Sequence, residues 1–247
     1  MWRPAERSLL VARGLVPGHS EVRVFGNNPA CGTTEEAIWF GSVAKTYLSV
    51  AAPLRIRVGG DAEDSAAGDG ARSIRVIGLD ADFEPIEEVI VTTGASQSAE
   101  TTQSFMRMHK AYVEEVGLYG GTNANDILIE SNGGVLMAQM PGGASETQLG
   151  WITVPAGKTA YIEKVVWFIP DAALMQVRIK TRENADDIVA PMSPFRTRWV
   201  GNMTQPGIPT NGAPVIVPEK SDIICTGEAS TGTHEVSVEM TVTFVDN

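Results

Sequence analysis

The chain has 247 residues, a formal net charge of −11 and a pI of about 4.8, and 43% of its residues are hydrophobic. This length allows one large β domain or two domains of about 120 residues each, with enough apolar residues for a core that needs no disulfide or metal. The acidic balance argues against a nucleic-acid wrapper or an anionic-membrane binder, because phosphate groups attract a basic face.

The first 20 residues have the character of an arm. Its basic and apolar side chains are the predicted interface residues Arg3, Arg7, Leu9, Leu10 and Arg13. We expect this arm to dock on an acidic neighbouring subunit, and an arm packed in its own core is the alternative. The strand pattern begins only at Val22, which predicts that the arm is dispensable for folding. The arm lacks the apolar core and cleavage site of a secretory signal.

Residues 72–94 carry the clearest pattern in the chain and predict a β-hairpin. Ile74 and Val76 alternate before an acidic turn at 80–85, and Val89 and Val91 alternate after it. The remaining chain repeats this arrangement of short β-branched runs that end in Gly, Pro, Asn or Asp. The 25 glycines and 14 prolines suit many short strands joined by turns. The sequence therefore predicts an all-β fold.

Two stretches leave alternatives open at the level of secondary structure. Residues 33–36 could cap a helix, but Gly41 follows Trp39–Phe40 at once, which favours a loop and a short strand. Residues 99–117 show both helical and strand spacing, and the strand signals on both sides favour extended structure. Further strands are predicted at 47–50, 54–58, 127–129, 151–154, 159–168, 177–180, 222–225 and 236–245.

Glycine-rich turns at 132–134 and 141–143 suggest a domain boundary near residue 130. The strand pattern starts again at Trp151 and continues to the C-terminus. The predicted organisation is an N-terminal arm at 1–20, a first β-sandwich domain at 21–130 and a second at 131–247. Both halves are expected to be jelly-roll-like.

Residues with metal-binding or catalytic potential do not combine into a site. The acidic loop 59–70 could hold calcium through Asp61, Glu63, Asp64 and Asp69, but its spacing does not fit a twelve-residue calcium loop. A solvated connection is the preferred interpretation. The three histidines have no partner at metal spacing. We therefore expect no catalytic residues, no metal and no cofactor.

The two cysteines, Cys31 and Cys225, lie far apart in the sequence. Buried free thiols are the preferred interpretation, because lone cysteines commonly behave as small apolar residues. A disulfide that joins the two halves is the alternative.

A long proline-rich segment, residues 190–218, is predicted to be a loop that contacts a partner. Phe195 and Trp199 are its candidate interface residues. They would also serve as the binding site if the chain were a carbohydrate-binding module, because an aromatic ring can stack on a sugar.

Several phrases resemble virion structural proteins of tailed bacteriophages. They include GLDADFEPIEEVI at 78–90, GLYGGTNANDI at 117–127 and VPAGKTAYI at 154–162. The resemblance covers roughly residues 33–247 and leaves out the arm. It implies a non-enzymatic particle component with a β-sandwich in both halves, which assembles as a homo-oligomer.

The resemblance leads to one preferred function and several alternatives. The preferred function is a capsid cement or decoration protein, a trimer that binds the major capsid protein in the virion, without nucleic acid or membrane partners. Alternatives are a tail-associated protein, a receptor- or carbohydrate-binding module, and a double jelly-roll capsid subunit. A hydrolase remains as the enzymatic alternative.

Overall fold

The computed structural model describes residues 9–41, 44–58, 62–171, 173–204 and 214–247. Strands dominate these residues, and their helical part is a single turn at 9–12. The all-β prediction is confirmed. The strands are β1 His19–Cys31, β2 Glu36–Ala37, β3 Ala52–Val58, β4 Ala71–Leu79, β5 Pro85–Val91, β6 Ser104–Phe105, β7 Arg107–Val116, β8 Ile127–Ser131, β9 Leu136–Met140, β10 Trp151–Thr153, β11 Lys158–Phe168, β12 Met175–Arg182, β13 Arg196–Met203, β14 Val215–Val217, β15 Asp222–Ala229 and β16 His234–Asp246.

The chain folds into two units that are not consecutive halves. Unit 1 comprises Met1–Ile38 and Gly150–Asn247, and unit 2 comprises Trp39–Leu149. This division differs from the predicted domains 21–130 and 131–247. The reason is the pairing of β1 with β16, which joins the two ends of the chain in one sheet. Strand periodicity shows where a strand lies and not which strand it pairs with.

Unit 1 has the strand order of a jelly roll. Its first sheet runs β1–β16–β11–β14, and its second sheet runs β10–β15–β12–β13, with β2 paired to β15 beside β10. If the eight strands other than β10 are lettered B to I in chain order, the sheets read B-I-D-G and C-H-E-F, which is the jelly-roll arrangement. The first sheet is antiparallel throughout. The jelly-roll prediction is therefore correct for this unit.

The core of unit 1 lies between its two sheets. Val24, Trp167 and Met240 come from the first sheet, and Val177 and Cys225 come from the second. In β12 and in the middle of β16, buried and partly exposed positions alternate, so every second residue faces the core, whereas β15 is buried along most of its length. Burial of each large apolar side chain contributes about 1.5–3 kcal/mol.

Unit 2 has two smaller antiparallel sheets. One runs β6–β3–β8–β9 and the other runs β5–β4–β7. Buried apolar residues come from both sheets, among them Ile56 and Ile129 from the first and Ile74 and Val76 from the second. The predicted hairpin at 72–94 is present as β4 and β5. Because the strand order of unit 2 is not that of a jelly roll, the double jelly-roll alternative is wrong.

The chain leaves the jelly roll after β2, the strand lettered C, and returns at β10 beside it. β2 and β10 pair with successive stretches of the same strand, β15. The amide of Gly150 donates to the Ile38 carbonyl at 2.8 Å. Gly26 of β1 packs on this point so closely that a Cβ there would lie 2.4 Å from the Gly150 nitrogen. A glycine is therefore required at position 26.

Most of the predicted strands are present, with one clear error at 47–50. Residues 44–48 form no ladder. Instead the guanidinium of Arg107 lies 5.1 Å from the Tyr47 ring centroid and donates to the Leu48 carbonyl at 3.1 Å. The buried Arg107 side chain of β7 therefore holds this segment in place. The composition of the segment resembles that of a strand and gives no sign of this contact. Residues 99–117 are extended as predicted, through β6 and β7.

Substitution of Gly26 by Ala should destabilise the protein by about 3 kcal/mol, because the added methyl group meets backbone atoms that cannot move aside. Chemical denaturation of the variant measures this change. Gly133→Ala is the matched control, since a Cβ there meets only the Ser131 Oγ at 3.7 Å. Equal stability of the two variants would show that the crossing is not under steric constraint.

Candidate interaction surfaces

The His, Cys, Asp and Glu side chains form no metal-binding group in the described part of the chain. Within it, no cluster of three or more His, Cys, Asp or Glu side chains could hold a metal ion. Cys31 and Cys225 are both buried and unpaired with each other. Burial raises the pKa of each thiol to about 12. Both therefore remain protonated thiols, which are poor nucleophiles.

Helical residues are few in the described ranges, and none of them belongs to a helix with the length and apolar character of a membrane span.

The acidic loop at 62–70 is built around a buried carboxylate. Asp64 is fully buried and accepts hydrogen bonds from the amides of Ala71, Ala124 and Asn125 at 2.8–3.0 Å. The prediction of a solvated connection is therefore wrong at this residue. Both carboxylate oxygens of Asp64 accept hydrogen bonds from backbone amides, so the side chain has the structural role of joining these segments. Asp61 lies outside the described residues, and Glu63 and Asp69 are exposed.

The predicted arm is only partly within the described residues. Arg3 and Arg7 lie outside them. In the helical turn at 9–12, Val11 is 5% exposed, Leu10 is half-buried and Leu9 is 59% exposed. Arg13 is exposed in the following turn. The arm thus presents part of its apolar surface to solvent and buries part of it.

The arm is shorter than the sequence suggested. β1 begins at His19, and its first two residues pair with Val245 and Phe244 of β16. Deletion of residues 1–20 would therefore remove two paired residues of β1 and the buried Val11 side chain. The prediction that strand structure begins at Val22 is wrong by three residues.

The segment 190–218 is less loop-like than predicted, because it contains β13 and β14. Trp199 lies on β13, and its ring stacks on that of Trp167 with centroids 6.3 Å apart. It packs against the core of unit 1 and is half-buried. Phe195 precedes the strand, and the Arg182 guanidinium lies 5.2 Å from its ring centroid. Residues 205–213 of this segment lie outside the described residues.

The connection between β12 and β13 carries a continuous exposed apolar run. It extends from Ile188 to Met192, and Val189 is its most exposed member at 72%. Runs of this kind on a folded surface usually mark contacts with another molecule. The connection is anchored at its start, where the Ala185 amide donates to the Lys220 carbonyl at 2.7 Å. This run begins two residues before the segment 190–218 in which the sequence predicts a partner contact.

Basic side chains on β12 are paired with carboxylates. Lys180 donates to Glu35 at 2.9 Å, and Arg178 donates to Glu228 at 2.7 Å. Burial opposes ionisation of Glu35, but hydrogen bonds from Lys180 and Thr226 outweigh it and lower the Glu35 pKa. These cations therefore stabilise their own sheet.

The connection after β7 forms an exposed tip on unit 2, which comprises Leu118 and Tyr119. Leu118 is 59% exposed and Tyr119 is fully exposed. The Leu118 amide donates to the Asp69 carbonyl at 3.0 Å, and the Gly121 amide donates to the Leu118 carbonyl at 2.9 Å. The backbone of the tip is thus held by hydrogen bonds on both sides of its aromatic residue.

Charge is divided unevenly between the two units. Residues 39–149 contain 15 acidic and 7 basic residues, a net charge of −8. The remaining chain contains 15 acidic and 12 basic residues, a net charge of −3. Unit 2 therefore favours partners with positive charge, and the basic arm belongs to unit 1.

Comparison with known proteins gives weak results. No protein-family model matches the chain, and no curated protein sequence is similar to it. Solved structures with some similarity come from infectious bursal disease virus. The Gx strain structure has 10% identity, covers 92% of this chain and 76% of that chain, and has a TM-score of 0.23. The Gt strain structure has 7% identity, covers 92% and 71%, and has a TM-score of 0.25.

A third structure is the crystal structure of the VP2 subviral particle of infectious bursal disease virus. It has 10% identity, covers 99% of this chain and 83% of that chain, and has a TM-score of 0.22. TM-scores of this size do not establish a shared fold, so no property of these viral proteins is transferred to this chain.

Substitution of Asp64 by Ala should destabilise unit 2 by at least about 3 kcal/mol, because three amides lose a charged acceptor and the loop 62–70 loses its link to Ala124 and Asn125. Thermal or chemical denaturation measures the loss. The matched control is Asp82→Ala, since Asp82 is exposed in the turn between β4 and β5. If both variants unfold alike, the buried carboxylate has no anchoring role.

Stability should also depend on pH through His234, which contacts Asp171 at the surface of unit 1. The hydrogen bond with Asp171 raises the pKa of His234, and the same bond lowers the pKa of Asp171. The contribution of the histidine is therefore complete below its usual pKa of about 6.5 and is lost as pH rises through its raised pKa. Melting temperature measured across this range should fall less for His234→Gln than for the unmodified chain. Parallel profiles would contradict the pairing.

Proposed function

We propose that this chain is a non-enzymatic structural component of a virus particle, in which it acts as a bacteriophage capsid cement or decoration protein. The observation that carries the proposal is the B-I-D-G and C-H-E-F strand order of unit 1. Jelly rolls of this kind are a common architecture of viral capsid domains, although lectins and cupins also use them. Fold alone does not give a function, so the surfaces must support it as well.

The sequence resemblance supports the same class of function. Its phrases lie in both units, at 78–90 and 117–127 in unit 2 and at 154–162 in unit 1. The resemblance points to virion proteins of tailed bacteriophages. It favours a building block that acts through surface shape, without catalysis.

Exposed apolar side chains on unit 1 support assembly with other copies or with a shell protein. Phe25 and Phe168 lie on the outer face of the sheet β1–β16–β11–β14, where both are about two-fifths exposed. Ile216 on the edge strand β14 is 59% exposed. Together with the run Ile188–Met192, these side chains would leave water when copies associate.

The position of Trp199 argues against the carbohydrate-binding alternative at this segment. A sugar platform needs an exposed ring face, whereas Trp199 stacks on Trp167 and packs on the core. Addition of sugars should therefore leave tryptophan fluorescence unchanged.

Assembly gives the direct test of the proposal. We expect the purified full chain to form a closed oligomer, with a trimer as the first expectation because threefold positions recur on icosahedral shells. Sedimentation velocity across a concentration series measures the mass. The double variant Val189→Ser with Met192→Ser should lower the oligomer fraction, because it removes exposed apolar area from the connection between β12 and β13.

Val50→Ser is the matched control for this experiment, since Val50 is 70% exposed on unit 2. It should leave the oligomer fraction unchanged. A chain that remains monomeric at every concentration, alone and with the phage shell protein, would overturn the proposal.

A further inference from the structure

We propose that the exposed tip of unit 2, Leu118 and Tyr119 with the carboxylates around them, is the docking surface for the basic arm of a second copy of this chain. The inference rests on the proposed function, because it requires copies to meet. It adds to that function a defined contact between two named segments, which attract each other through opposite charge.

The tip has the properties of a preorganised anchor. Tyr119 is fully exposed although its backbone is fixed through the Leu118–Asp69 and Gly121–Leu118 hydrogen bonds. The same two loops are tied together by the buried Asp64 carboxylate. An exposed aromatic residue on an ordered backbone loses little backbone entropy on binding, which makes it an efficient contact residue.

Two carboxylates and one guanidinium lie around the tip. The guanidinium is that of Arg72, whose Nε donates to the Gly68 carbonyl at 2.9 Å beside Gly117. Asp69 is exposed, and its carbonyl accepts the Leu118 amide. Glu115 is exposed near the end of β7, two residues before Gly117. Two carboxylates against one guanidinium leave a net negative charge here, so a partner with positive charge and apolar side chains fits this surface better than an acidic one.

The arm is the segment of this chain with the matching chemistry. Residues 1–15 contain three arginines and one glutamate in a chain whose net charge is −11. Leu9 and Leu15 are 59% and 56% exposed, so they are available for contact. Leu9 and Leu15 of the arm and Leu118 and Tyr119 of the tip are exposed within one copy, so a second copy is a partner that would cover both pairs.

Photo-cross-linking of the full chain tests the contact. Tyr119 is replaced by the photoreactive amino acid benzoylphenylalanine, and isotopically light and heavy copies are mixed before irradiation. We expect cross-links between Tyr119's position in one copy and residues 1–20 of the other, identified by mass spectrometry as mixed light–heavy peptides. The same probe at Val50 is the control and should give no such cross-link.

Charge reversal adds a second readout. Replacement of Arg3, Arg7 and Arg13 by Glu should lower the yield of the mixed cross-link about tenfold at low salt, because three attractive pairs become repulsive. Further replacement of Asp69 and Glu115 by Lys should restore the yield. Cross-links that fall only outside residues 1–20, or a yield that charge reversal leaves unchanged, would overturn the contact.

Failure of this contact is distinguishable from failure of the proposed function. A normal oligomer in sedimentation, with the Tyr119 probe cross-linked elsewhere, overturns the arm contact and leaves the structural role standing. A chain that stays monomeric overturns both.

Discussion

The structure depends on a close approach of three backbone segments, at Gly26, Ile38 and Gly150. This is the point where the chain leaves the jelly roll and re-enters it 111 residues later. The Gly150–Ile38 hydrogen bond joins the outgoing and returning segments, and only glycine at position 26 allows β1 to pass at this distance. Because both ends of unit 2 meet here, β2 and β10 lie end to end along β15, and the pairing along that edge is continuous. Trp39 and Leu149, the first and last residues of unit 2, also form an antiparallel bridge.

Local patterns in the sequence were sufficient for most of the strands. The alternation in 236–245 and 159–168 corresponds to β16 and β11, which are central strands of the jelly roll. The hairpin at 72–94 followed from its acidic turn and its two alternating runs. These features are encoded by neighbours in the sequence, so a single sequence reveals them.

The features that escaped sequence analysis are set by distant contacts. Pairing of β1 with β16 makes the domains discontinuous, and no local pattern signals it. Asp64 looked like one acid among several, although amides about 60 residues away make it a buried anchor. Trp199 looked like an exposed loop residue, but the ring of Trp167 on another sheet draws it to the core. The exposed apolar run at 188–192 could have been recognised from the sequence, because five apolar residues in a row between two strands are unusual on a surface.

The two units suggest a division of roles within the particle protein that we propose. Unit 1 supplies the jelly roll and the basic arm, and unit 2 supplies an excess of acidic residues and an exposed aromatic tip. The most direct test of this account is immunogold labelling of purified phage particles with an antibody against the chain. The account predicts regular label on the particle surface, at many symmetry-related positions. Label confined to the soluble fraction of the lysate, with none on particles, would contradict it.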